Sequence, residues 1–264
     1  MTVTDSDQLV KDLKRLLRDV EADLRARSED PEWEWSRELR SQYDQARERG
    51  RTALTWSVWR DDEVAQAAVA WVLASVFVRF CEDNELLDQA WITGVGERAG
   101  YALDAESAFY LEQPSRNSRD WLRAGFAALA DLPAGAGILD RNHSPVWSTP
   151  LSSDACTAIL RFWREQNADG SLQNSLASDS WDTRFLGDIY QDLSESAKKK
   201  YALLQTPVFV EEFILDQTLE PALAEFGLQG LRLIDPACGS GHFLLGAFAR
   251  FFDAPVKPLR RIVS

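Results

Sequence analysis

The stretch LIDPACGSGHF, residues 233–243, limits most severely what this chain can fold into. An apolar run of Leu231, Leu233 and Ile234 stops at Asp235 and Pro236. Gly239 and Gly241 follow one residue apart, and Phe243, Leu244, Phe248, Phe251 and Phe252 then return at helical spacing. A short buried strand, a glycine turn and a helix packed on the strand form the opening of an α/β unit. In open α/β sheets ligands sit outside the carboxyl ends of the strands, and glycines lacking Cβ let backbone amides approach them. The turn is expected to serve a cofactor.

The chemistry of the turn narrows the choice. A Walker phosphate loop needs Gly-Lys-Ser or Gly-Lys-Thr at its end, and neither is present. A dinucleotide fingerprint wants a third glycine where Leu244 stands, so Gly239 and Gly241 match it weakly. Asp235 would repel a pyrophosphate but could hold a cationic ammonium or a sulfonium-bearing ligand. S-adenosylmethionine carries both groups.

The rest of the chain reads as helical. Leu9, Leu13, Leu16, Leu17, Val20 and Leu24 recur at three- and four-residue steps, the pattern of an amphipathic helix. Residues 33–51 predict a second helix or an extended arm, and residues 64–87 a strongly apolar helix ending in RFCEDNELL. That apolar stretch contains Gln66, Ser75 and Arg79, which suits a buried helix better than a membrane span. Between residues 104 and 170 the signal blurs, apart from helical pieces at 121–129 and 152–166 and a turn-rich loop, LPAGAGILDRNHSP. NADGSLQNSLASDSWD, residues 167–182, is small and polar and marks a boundary. Beyond it Thr206-Pro207 suits a helix start, the hydroxyl capping free amides and the proline fixing φ. Phe209, Val210, Phe213, Ile214 and Leu219 would line one side of that helix, Glu211 and Glu212 would favour its dipole, and Gly227 and Gly230 would bracket a turn.

Charge and cysteine usage exclude some functions. A net charge of −13 over 264 residues argues against the whole chain being a nucleic-acid clamp, although a local basic groove remains compatible with it. Cys81, Cys156 and Cys238 lack metal-type spacing, and their odd number suits reduced thiols; with only His143 and His242, no zinc site is expected. The opening residues are charged throughout and do not resemble a secretory signal, so the expected location is cytoplasmic, with no membrane. The ten tryptophans, Trp56 with Trp59 among them, read as core, and Lys198 to Lys200 as a solvated helix face.

Asp235-Pro236-Ala237-Cys238-Gly239-Ser240-Gly241 resembles the S-adenosylmethionine motif of DNA adenine N6-methyltransferases, and Gln205-Thr206-Pro207 with Phe209-Val210 resembles the helix-start motif preceding it. The run FLGDIYQDLSESAKKKYALLQTPVFVEEFILDQTLEPAL looks specifically like the large methyltransferases of BREX phage-defence systems, the PglX type, in its type 2 branch. VRFCEDNELL is similar to that group and to single-chain restriction-modification enzymes. The resemblance implies an α-helical amino-terminal domain, residues 1–182. Residues 183–264 would begin an α/β class I, Rossmann-like methyltransferase domain. It implies S-adenosyl-L-methionine as cofactor, with Asp235, Gly239 and Gly241 lining its methionine end, Thr206 and Pro207 closing the pocket, and Pro236, Ala237 and Cys238 supplying loop backbone. It gives His242 no catalytic role. Implied partners are duplex DNA, mainly through regions outside this chain, and other defence-system proteins.

The family also needs Asn or Asp, two prolines and an aromatic ring to accept a flipped adenine. No Pro-Pro pair occurs in this chain. The expectation is an amino-terminal segment of a longer enzyme that transfers a methyl group to adenine N6, silent in catalysis by itself and using no metal. Two alternatives stay open at this point, a dinucleotide-binding oxidoreductase and a non-enzymatic helical docking module of a defence complex.

Overall fold

The computed structural model describes residues 3–133, 135–177, 186, 189, 192–193, 208–238 and 241–253. Residue contacts cluster into two units, Met1–Ser180 and Trp181–Ser264. Thr206, Pro207, Gly239 and Lys198 to Lys200 lie outside the described residues.

The first unit is built from helices. α1, Val3–Glu29, turns Leu9, Leu13, Leu16, Val20 and Leu24 inward, each no more than 5% exposed. α2, Glu34–Glu48, decides between helix and arm in favour of a helix, because Trp35, Leu39 and Tyr43 fall on one buried stripe at four-residue steps. The Ser36 hydroxyl donates to the Ser28 carbonyl at 2.8 Å and ties this helix to the end of α1. α3, Trp56–Asp83, is the spine of the unit. It packs along α1 and also touches α2, α5 and α6.

α3 starts before the expected Val64, since its first turns, with Arg60, Asp61 and Asp62, are amphipathic rather than apolar. It is long and apolar enough to cross a bilayer, yet 67% of its most apolar window is buried in the protein, the burial of a core helix. It stops at Asp83, short of Leu87. There Glu85 takes a left-handed backbone with φ 57°, and the Leu86 N–H donates to the Cys81 carbonyl at 2.8 Å, closing the last turn.

α5, Ser118–Ala130, and α6, Ser153–Arg164, occupy the two helical pieces expected in the blurred region. Asn117 and Asp120 form a capping box at the start of α5, and Ser152 caps α6 through the Ala155 N–H. Buried indoles between these helices each find an acceptor. Trp71 donates to Thr149 Oγ1 at 2.7 Å, Trp163 to Ser75 Oγ at 2.9 Å and Trp121 to the Trp91 carbonyl at 2.7 Å. The core reading of the tryptophans holds for these three. It fails for Trp56 and Trp59, which are half-buried and stacked on each other at 6.0 Å, with Tyr43 edge-on to Trp56 at 5.5 Å.

α4, Arg98–Glu112, has no counterpart in the sequence reading. Only Ala102 of its residues is buried, so no apolar stripe announces it. Polar contacts hold it instead, with Arg164 bonded to Glu106 at 2.6 Å and to the Ile92 carbonyl at 2.8 Å.

The end of α3 buries three charges. Arg79 donates to Glu82 at 2.8 Å and to Asp83 at 2.5 Å, and all three side chains are sealed from solvent. Glu82 also accepts the backbone N–H groups of Trp91, Ile92 and Thr93, while Asp83 accepts that of Leu176 at 2.7 Å. Burial pushes the Glu82 carboxyl above its ordinary range, opposed by the Arg79 charge and the backbone donors.

The second unit departs from the expected α/β start. Its described helices are α7, Val208–Phe226, and α8, His242–Asp253, with a short 3-10 turn at Leu228–Gly230 between them. Gly227, with φ 68°, opens that turn. Residues 231–235 carry no strand pairing, and among the described residues the single β-bridge joins Gln166 to Leu172 in the first unit. An extended segment becomes a strand only when a neighbour satisfies its N–H and C=O groups, and none of the described residues does so here. Leu233 is 43% and Ile234 84% exposed, so the expected buried strand is not what the structure shows. The described architecture is α-helical.

Removing one partner from the buried charge cluster strands the others. Arg79→Met or Glu82→Gln is expected to cost about 3–5 kcal/mol in urea unfolding of the chain. A loss below about 1 kcal/mol would show that these charges do not secure the end of α3.

Candidate functional site

α7 and α8 pack on each other through a small apolar cluster. Leu215, Leu219 and Ala247 are buried at its centre, with Leu223, Leu231, Phe243 and Phe251 packed around them. The face of α7 that turns inward was misassigned from the sequence. Phe209 and Phe213 are 72% and 63% exposed and Ile214 is exposed, whereas Glu211, Leu215 and Leu219 form the buried stripe. On α8, Phe243 and Phe251 pack as expected, but Leu244 and Phe248 face outward; the Phe252 side chain lies outside the described residues.

Glu211 is fully buried rather than a surface acid that only favours the helix dipole. Its carboxylate sits over Gly246. A Cβ at that glycine would collide with Glu211 Oε1 and would meet Leu215 Cδ1 at 2.9 Å. The sequence held a usable signal, since Glu211 precedes Leu215 and Leu219 by four and eight residues and so shares their face. At the rim Arg250 of α8 bonds to Asp216 at 2.7 Å and to Glu220 at 3.4 Å on α7.

The chain between these helices carries the glycine motif. Asp235 is half-buried, and its Oδ1 accepts the Ala237 N–H at 3.1 Å. Pro236, Ala237 and Cys238 are exposed. The Gly241 N–H returns to the Cys238 carbonyl at 2.7 Å, and the Gly241 carbonyl accepts the Leu245 N–H at 2.8 Å, so this glycine closes the turn and opens α8. Its φ of +83° is a backbone state that side chains with a Cβ rarely adopt. The structure therefore gathers Asp235, Ala237, Cys238 and Gly241 into one turn at the start of α8. His242 begins that helix, and its side chain lies outside the described residues.

One atom in the turn points to a ligand. Asp235 Oδ2 is buried and has no hydrogen-bond partner among the described residues. A carboxylate oxygen withdrawn from water without a donor is costly, and an incoming ammonium group would satisfy it. Among the described residues the space beside Gly241 is open, since a Cβ there would approach only Cys238 Sγ, at 4.0 Å. The positive end of α8 at the same turn suits a carboxylate. A ligand carrying ammonium and carboxylate on one carbon, as the methionine end of S-adenosylmethionine does, fits these residues.

The chain is 48% identical over 254 residues to the adenine-specific methyltransferase PglX of Streptomyces coelicolor. The resemblance read from the motifs is to that protein. The match takes in 93% of this chain and 21% of PglX, so the chain spans about a fifth of the length of the curated relative it matches. No family model matches the chain, and no solved structure does.

Thiol reactivity separates the turn from the helical unit. Burial pushes the Cys156 thiol up to about 12 and Cys81 to about 11, whereas Cys238 is exposed. Neither of the first two has a thiolate population at neutral pH that could attack.

Gly246→Ala tests the close approach of α7 and α8. On an open helix surface this change stabilises by roughly 0.5–1 kcal/mol. Here overpacking against Glu211 and Leu215 is expected to reverse the sign, destabilising by about 1–3 kcal/mol. Hydrogen exchange of the α8 amides reads the effect, and slower exchange in the variant would contradict the packing described.

Proposed function

We propose that this chain supplies the cofactor-holding turn of an S-adenosylmethionine-dependent methyltransferase that acts on adenine N6 in DNA, as part of a BREX-type phage-defence system in the cytoplasm. The observation that carries the cofactor assignment is the buried oxygen of Asp235, without a donor among the described residues, beside a glycine turn. The 48% identity to a protein named as an adenine-specific methyltransferase supports the reaction class. Residues 183–264 would open the methyltransferase domain, behind a helical domain of residues 1–182.

Each residue of the turn has a separate task in this reading. Asp235 accepts hydrogen bonds from the ammonium group, and its negative charge favours the nearby positive ligand. Gly241 bends the backbone into α8 and leaves the approach to Asp235 clear. Pro236, Ala237 and Cys238 shape the loop; Gly239, Thr206 and Pro207, given to the cofactor by the resemblance, lie outside the described residues. When bound, S-adenosylmethionine supplies the electrophilic sulfonium methyl group. The chain has no Pro-Pro pair to stack and polarise a flipped adenine, so it is expected to bind cofactor without turning over. DNA and other defence-system proteins are the partners this reading requires.

Calorimetric titration with S-adenosylmethionine should show saturable binding to the chain. Asp235→Ala should weaken it by about 10- to 100-fold, the worth of a hydrogen bond to a charged group. Saturating cofactor should also protect Cys238 from alkylation. Tighter binding of NAD than of S-adenosylmethionine would falsify the assignment.

A further inference from the structure

A second cleft, in the helical unit, is built from arginines. It lies where the end of α1, the turn into α2 and the start of α3 meet, and its volume is about 370 Å³. Arg37, Arg40 and Arg60 line it against a single carboxylate, Glu29, with Trp56 as an aromatic wall. In a chain of net charge −13 such an excess does not follow from composition.

The guanidinium groups are held in place. Arg37 Nη1 donates to the Pro31 and Glu32 carbonyls at 2.7 and 2.8 Å, which fixes the group at the turn without neutralising it. Arg40 lies over the Trp56 ring at 5.1 Å, with Asp44 at 3.3 Å in an exposed pair of the kind water screens strongly. Arg60 pairs with Glu29 at 3.2 Å and with Asp61 at 2.8 Å, and Asp61 also holds Arg25. Arg60 thus faces two carboxylates and Arg40 one exposed carboxylate, while Arg37 donates to neutral carbonyls. Beside the cleft Arg27 covers Trp33 at 4.2 Å.

We infer that this cleft binds a phosphodiester of the DNA backbone. Arginine forks match phosphate oxygens in pairs, and carbonyl-anchored guanidiniums lose little freedom on binding. The half-buried Trp56, stacked on Trp59 and covered by Arg40, backs the cleft as an aromatic wall that helps fix the guanidinium. An anion held here would fix the helical unit on DNA without reading sequence, since phosphate contacts position rather than specify. The choice of DNA over other phosphates rests on the methyltransferase reading; the anion site itself rests only on the cleft.

The test is fluorescence anisotropy of a short labelled DNA duplex of mixed sequence, titrated with the whole chain at several salt concentrations. Arg37→Gln/Arg40→Gln should weaken binding about tenfold or more and lower the salt slope by about two. Both positions are exposed, so the thermal midpoint should barely move, and Arg37→Lys/Arg40→Lys should restore most of the salt slope. The inference is overturned if the unaltered chain fails to bind duplex, if the Gln variant binds equally well, or if an acidic peptide is preferred over the duplex. S-adenosylmethionine titration of the same variant separates the two proposals. Unchanged cofactor binding with weakened DNA binding supports both, and lost cofactor binding in the unaltered chain removes the methyltransferase reading while leaving the anion site to the DNA result.

Discussion

Three ionisable side chains sealed inside a helical unit set the terms for the rest of it. Arg79, Glu82 and Asp83 occupy two turns at the end of α3, and their desolvation would be prohibitive if they had only one another. The backbone donors of residues 91–93 and of Leu176 make the arrangement tolerable. Chain that leaves α3 must double back at once and present three successive N–H groups to Glu82. The segment after α6 must then return to Asp83, more than ninety residues later by its sequence separation. The loops of the unit are shaped by the acceptors of one helix terminus.

Much of the helical unit could be read from the sequence because its core helices display apolar stripes. α1, α2, α5 and α6 are amphipathic, and their buried residues are those that recur at helical spacing. α4 escaped because it is fastened through Glu106 and Arg164 and not through an apolar face. In the second unit the same reasoning misled. Phe209, Phe213 and Ile214 are conspicuous, but the packed face carries the charged Glu211 with Leu215 and Leu219. A pattern scored on hydrophobicity passes over an acid in a core position. The strand expected at Leu231, Leu233 and Ile234 was read from composition, and strand formation depends on a pairing partner that composition does not name.

The candidate site was legible to a different degree at each residue. Gly241 could be chosen for its lack of a side chain, and its positive φ supplies the physical reason. Asp235 was singled out by charge, while the burial of its Oδ2 without a donor among the described residues is a property of the folded turn alone. The arginine cleft was invisible in the sequence, because Arg37 and Arg40 lie among nearly as many acids along the chain. Only the crossing of three helices brings them to Arg60 and Trp56.

Gly246 couples two positions thirty-five residues apart in sequence. Glu211 fits only because nothing projects from α8 at that point, so neither residue is free to drift alone. Enlarging position 246 demands that the Glu211 carboxylate give way, because the two positions share one volume. The gap between the two helices is thus gauged by one absent methyl group facing an acid.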